Sequence, residues 1–401
     1  MRKNLLFIPG PVTVSEPVLA AMGKPMIDHR GPRFAELLER VSARLQPVFG
    51  TKEKVVTLGS SGTGGLEAVL VNLFSPGDKL LALPLGVFGQ RFIAIARTYG
   101  CNVEVIETEP GHAADAQRLA ERLRADTNRE IAGILLTHNE TSTGVQQDMA
   151  QIARAVGDHP AITLVDSVSG LGASEFRMDD WNLDAVVTAS QKVFAAPPGV
   201  AMVALSKRAQ ASLDSAKIPS FYFSLKKALE FEKIGQTPWT PPVSILYALD
   251  VALELYEAEG ARNVYARHSL YAQAIREAAL ALDLELFAQP GALSDTVVSI
   301  KAKEGMDVAA LLKKLRDERG VVLSGAQAPL TGKLFRIGTM GDVSQTDVLG
   351  MIGALEIALL EQDVPVHIGK GVQAALKVFL KPDVGQKTAA QTDAQTMVAP
   401  R

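Results

Sequence analysis

Between residues 55 and 205 short continuous apolar runs alternate with longer segments in which apolar positions return every three or four residues. Runs bounded by turn residues read as buried strands, and the periodic segments read as helices. Strands are predicted at 55–58, 79–83, 103–106, 131–136, 161–166, 183–187 and 200–205, and helices at 66–74, 88–99, 114–123 and 149–156. Repeated strand-then-helix units predict an α/β fold, a mostly parallel sheet between two layers of helices. Upstream, 16–22 reads as a short helix, and Phe34, Leu37, Leu38, Val41 and Leu45 mark a packing helix over 33–48. Downstream, helices at 221–233, 243–260, 264–282, 308–319 and finally 348–361, with strands at 296–300 and 334–337, predict a smaller α+β unit. The implied division is an N-terminal arm (1–22), a large domain (23–255), a small C-terminal domain (256–380) and a tail (381–401). That tail is rich in Ala, Gln and Thr, lacks an apolar period and is expected to be disordered.

Composition narrows the class. A chain of 401 residues, 47% hydrophobic and 21% charged, is long enough for one large and one smaller core. Its formal net charge of −3 and the lack of a dense basic run argue against nucleic acid or an anionic membrane as partner. The single cysteine, Cys101, rules out an intrachain disulfide and leaves no basis for a cysteine metal site, so no metal is expected. No apolar stretch reaches membrane-spanning length, and Pro9 breaks the leading apolar run too early for a signal peptide. A cytoplasmic location is the expectation.

The chemistry gathers at predicted strand ends. In Thr188-Ala-Ser-Gln-Lys-Val-Phe-Ala-Ala-Pro-Pro-Gly199, a lysine follows one apolar run and precedes a proline–glycine turn into the next. Lys192 is then either a solvated loop lysine or an amine at the sheet rim, desolvated enough to attack a carbonyl. Asp166 ends the preceding run; alone it reads equally as a turn or cap residue. If both runs are parallel strands, the two groups emerge at the edge where open α/β sheets bind ligands. An amine and a carboxylate there suit pyridoxal phosphate, whose ring withdraws electrons while its nitrogen stays protonated.

Other stretches add candidates. Gly59-Ser60-Ser61-Gly62-Thr63-Gly64-Gly65 feeds a helix start and either cradles an anion or is a flexible connector. Its spacing is neither G-x-G-x-x-G nor Walker A, which removes the support for dinucleotide or nucleoside triphosphate binding. Phe88, framed by Gly86 and Gly89, either stacks on a planar ring or is core. Thr137 to Gly144 is a polar loop at another strand end. Arg336 lies inside an apolar strand; spacing alone favours an internal ion pair over a bidentate grip on a ligand carboxylate. The proline-stiffened stretch 235–242 has the length to reach a neighbouring subunit.

Five blocks together resemble the class V aminotransferases: Ser60-Ser-Gly-Thr-Gly-Gly-Leu-Glu-Ala68, Leu136-Thr-His-Asn-Glu-Thr-Ser-Thr-Gly-Val145, Leu164-Val-Asp-Ser-Val-Ser-Gly-Leu-Gly172, Ser190-Gln-Lys192 with Pro197-Pro-Gly199, and Phe335-Arg-Ile-Gly338. The match runs in order over roughly residues 4 to 375 and is nearest in pattern to the serine–glyoxylate, alanine–glyoxylate and serine–pyruvate branch. The resemblance implies a fold-type I pyridoxal-phosphate enzyme, with a seven-stranded-type sheet in its large domain, working as a homodimer with active sites at the interface. It implies Lys192 as the residue that links to the cofactor and moves the proton, Asp166 at the pyridinium nitrogen, and Phe88 and Val168 on the two ring faces. Ser61, Gly62, Thr63 and Gln191 match the phosphate cup, Thr141 the O3′ side, and Thr240 with Gln236 or Thr237 the contacts lent by the other subunit. Arg336 matches the clamp on the substrate α-carboxylate, which reverses the ion-pair preference, and Gly10 belongs to a loop near the substrate. Many relatives carry tryptophan at the position of Phe88, and a tyrosine common in the 235–242 stretch is missing here.

The implied reaction is transamination between a small amino acid, serine or alanine, and glyoxylate or pyruvate. An aspartate–glyoxylate or other class V activity stays open, as does a non-catalytic transaminase-like subunit. Cysteine desulfuration needs a cysteine on a mobile loop, and Cys101 lies elsewhere.

Overall fold

The computed structural model describes residues 4–380. The tail expected to be disordered lies outside them. Seven strands form the main sheet, in the spatial order Val55–Gly59, Val200–Leu205, Ala185–Ala189, Ile162–Asp166, Ile131–Thr137, Lys79–Leu83, Asn102–Val105. All neighbours are parallel except Val200–Leu205, which runs against both strands beside it. That exception follows from the short Pro197-Pro198-Gly199 turn, which reverses the chain where a parallel return needs a long crossover.

The central strands are apolar throughout because both faces are covered. Leu135, Leu164, Val187 and Val203 face one helix layer, with Leu70 and Phe92. Their chain neighbours Leu136, Val165, Val186 and Met202 face the other, with Leu45 and Leu249. Each strand thus divides its side chains between two cores by its two-residue period.

A separate core surrounds the antiparallel strands Val297–Lys301, Leu334–Gly338 and Ser324–Gly325, with Ile275, Leu311, Phe335 and Leu355. The N-terminal arm joins it. Leu5–Leu6 pairs in parallel with Val321–Val322, and Phe7 is fully buried there. Chain order therefore misleads about where the first residues pack.

Two expectations need correction. The helix expected over 221–233 spans only Leu225–Glu232, because Ser224 caps it by accepting a hydrogen bond from the Lys227 N–H. Ahead of the cap, Phe221 stacks on Trp239 at 4.8 Å instead of continuing the helix. The helix at Gln345–Leu360 is not the last: Lys370–Phe379 follows it. Its N-terminus is capped from outside, by the Glu356 carboxylate accepting from Gly369 N (2.6 Å) and Val372 N (3.1 Å).

Candidate active site

The parallel register fixes which strand ends coincide. Thr137 is level with Asp166, and Asp166 with Val187, so both loops and the Lys192 turn leave the sheet at one edge. There a cavity of about 230 Å³ is lined by Ser61, Gly62, Thr63, Phe88, Thr141, Asp166, Val168, Gln191 and Lys192. Nine residues singled out in the sequence line one cavity.

Asp166 is 4% exposed, and its Oδ1 accepts from the Val168 N–H at 3.0 Å. Burial raises its pKa to about 6 against that hydrogen bond; the Glu140 charge raises it too, and Lys192 and Arg91 lower it. Lys192 moves the other way, to about 8: burial lowers it, Asp166 holds it up, and Arg336 and Arg91 push it further down. The two groups are thus brought within reach of one another in proton affinity.

The Lys192 amine donates to the Pro9 carbonyl at 2.6 Å. Gly10 makes that approach possible. Its φ is +129°, and a Cβ there would lie 2.8 Å from Lys192 Nζ. Gly62 serves a similar purpose at the opposite wall, where a Cβ would lie 2.6 Å from Val168 Cγ2. The helix Gly62–Leu73 that it opens has no side-chain cap at Ser61, so among the described residues no cap side chain takes its leading N–H groups, and its first residues line the cavity.

Arg336 is 7% exposed and does not line this cavity itself. Its Nη1 donates to the Thr141 carbonyl at 2.9 Å, while Nε and Nη2 donate to the Gly325 carbonyl at 3.0 and 2.6 Å. Among the described residues no carboxylate forms an ion pair with it, so the internal pair favoured by spacing alone is not present. Burial lowers its pKa and the Glu140 charge opposes that.

Gln236, Thr237 and Thr240 are not brought to Lys192 within one chain. Gln236 Oε1 and the Thr237 carbonyl accept from Arg30 at 2.9 and 2.6 Å. Thr237 and Thr240 flank a separate small cavity beside Trp239 and Tyr222.

Other residues were missed in the sequence. Arg91, one helical turn past Phe88, lines the cavity, as do Asn139 and Ser169. Asn139 Nδ2 donates to Ser169 Oγ (2.8 Å) and Thr296 Oγ1 (3.0 Å), and Thr141 Oγ1 also donates to Ser169 Oγ (2.8 Å). Glu140, fully buried, accepts from the N–H groups of Phe88, Gly89 and Ser142 and from Ser142 Oγ. An i, i+3 relation to Phe88 was the available sign for Arg91; the polar loop was noted, but its individual roles depend on partners distant in sequence.

The residues present fit a planar, doubly anchored anion. A carboxylate and an amine with opposed pKa shifts face one space, a free helix N-terminus closes one end, and Asn139 Oδ1 and Gln191 Oε1 on its lining are buried without a hydrogen-bond partner. Buried polar atoms left unpaired are rare enough to mark a place for a ligand.

Comparison with known proteins agrees. The family described as aminotransferase class-V matches residues 17–333. The chain is 38% identical to a soluble hydrogenase 42 kDa subunit of Anabaena cylindrica (94% of this chain, 99% of the relative). It is 37% identical to an L-aspartate–glyoxylate aminotransferase of Paracoccus denitrificans (93% and 95%) and 35% identical to a serine–glyoxylate aminotransferase of Methylorubrum extorquens (93% and 95%). The crystal structure of pyridoxamine–pyruvate aminotransferase from Mesorhizobium loti superposes with a TM-score of 0.89 at 32% identity, covering 94% of this chain and 97% of that one.

Proposed function

This chain belongs to the class V aminotransferases and is a fold-type I pyridoxal-phosphate enzyme, and from that premise we propose that it moves an amino group from serine or alanine to glyoxylate or pyruvate. The observation that carries the proposal is the convergence of Lys192 and Asp166 on one cavity with their proton affinities drawn together.

When bound, the cofactor supplies the electron sink that makes a substrate Cα–H acidic. Asp166 would hold a proton at the ring nitrogen, and Lys192 would be the base that takes the proton from the substrate Cα and later returns one. Phe88 and Val168 would confine the ring faces, Thr141 would meet its O3′ side, and Ser61, Gly62, Thr63 and Gln191 would receive the phosphate. Arg336 takes the α-carboxylate: a guanidinium satisfied only by backbone carbonyls gains a charge-assisted pair when a carboxylate arrives. Gly10 and the Pro9 carbonyl lie against the lysine amine, an arrangement that supports short donors.

The working unit is a homodimer in which Thr240, with Gln236 or Thr237, completes the phosphate site of the second copy. Support comes from the 70% exposed Phe221 and half-exposed Tyr222 stacked on Trp239 beside that loop, an apolar patch of the kind interfaces cover. The large domain is taken as residues 23–255 and the small one as 256–380, with 1–22 as the arm. Among the described residues no helix is long and apolar enough to cross a membrane, and the cytoplasm is the proposed location.

The Paracoccus relative, named for aspartate, favours a second reading in which the donor bears a second carboxylate. One spectroscopic experiment separates the two. Protein loaded with pyridoxal phosphate is mixed with serine, alanine, aspartate or glycine without acceptor, and loss of the visible band is followed. Rapid loss with serine or alanine and slow loss with aspartate is expected. The reverse order sinks the serine/alanine reading, and a preparation that never colours favours a non-catalytic transaminase-like subunit.

A further inference from the structure

Resting on that reading, we infer that Arg91 is the cation that holds the cofactor phosphate, so that this site discriminates strongly for the phosphorylated vitamer over its unphosphorylated form. Arg91 lies one turn into the helix Val87–Thr98, and its side chain folds back over Phe88 with the guanidinium 4.6 Å from the ring centroid. That stacking keeps the planar fork in place. Its Nη1 donates to Thr63 Oγ1 at 3.2 Å, at the free N-terminus of Gly62–Leu73.

Charge balance singles it out. A phosphate monoester carries about −1.5 to −2 charges near neutral pH, whereas a helix N-terminus contributes about half a positive charge and hydroxyls none. Ser61, Thr63 and Gln191 are neutral. Lys192 is engaged with the Pro9 carbonyl, and Arg336 with the carbonyls of Thr141 and Gly325. Among the described residues no carboxylate forms an ion pair with Arg91, although it lines the cavity. Among the described residues only one of its five N–H donors is used, in the bond to Thr63. By accepting from Arg91, the Thr63 hydroxyl keeps its own hydrogen free for a phosphate oxygen. Guanidinium, hydroxyl and backbone N–H groups then meet at one point.

The test compares two ligands that differ only in the phosphate and form no covalent link to Lys192. Binding of pyridoxamine 5′-phosphate and of pyridoxamine to the cofactor-stripped full-length protein is measured by calorimetry for wild type, R91Q and R91K. R91Q is expected to bind pyridoxamine phosphate roughly ten- to a hundred-fold more weakly, from the strength of charge-assisted hydrogen bonds, with pyridoxamine affinity changed by less than about two-fold. R91K, which keeps the charge, is expected to regain most of the loss. Equal losses for both ligands would mean that Arg91 only supports Phe88 and would overturn the assignment, as would unchanged binding in R91Q or equal affinities in wild type. If wild type colours with pyridoxal phosphate but R91Q keeps its discrimination, Arg91 alone is wrong; if wild type neither colours nor binds either ligand, the cofactor reading fails with it.

Discussion

Lys192 would be a cation throughout the neutral range in water, and it is the protein around it that brings its pKa down to about 8, chiefly by burial. Only the neutral amine attacks a carbonyl. The rate at which cofactor-stripped protein captures pyridoxal phosphate should therefore rise with pH through a midpoint of about 8 and then level off, as stopped-flow absorbance would record. Asp166 is the charge that holds the lysine up, so Asp166→Asn should move this midpoint to lower pH; a midpoint that stays put or rises contradicts the coupling. The identities of both residues were legible in the sequence as apolar runs ending in chemistry. Their altered proton affinities were not, because burial comes from segments as distant as the Pro9–Gly10 arm.

At the scale of elements, caps separate what local sequence specifies from what it does not. Asp115, Asp148, Asp307 and Ser344 each accept from an N–H two or three residues ahead, so these starts are written within one turn of chain. Lys370–Phe379 lacks such a residue and takes its cap from the buried Glu356, which is why its period went unread. Glu356→Ala should leave two N–H groups unpaired and lower stability by about 1–3 kcal/mol. Urea unfolding would measure this, with pyridoxamine phosphate binding retained, since the helix is remote from the cavity; an unchanged midpoint would remove Glu356 as the cap. Glu140 links elements in the same way, accepting from the helix that carries Phe88 and from the loop that carries Thr141.

For the whole molecule, the proposed dimer makes a complementation test possible. A Lys192→Ala protomer keeps its Thr240, and a protomer altered at Gln236, Thr237 and Thr240 keeps its Lys192. Neither should turn over well alone, but after mixing and refolding about a quarter of the sites would combine both intact parts, by the statistics of a two-fold interface. Recovery of about that share of wild-type activity is expected, and none at all would mean that each chain completes its own site. By itself the amino-acid order determined the strand and helix periods, the α/β class and the identity of the groups with chemistry, because these depend on neighbours within a few residues. It could not decide that Phe7 joins the core that holds Ile275, that Arg336 rests on two backbone carbonyls, or that Arg91 donates to Thr63. Those contacts join different elements, from 11 to more than 200 residues apart, and only strand register and close packing of the folded chain choose among them.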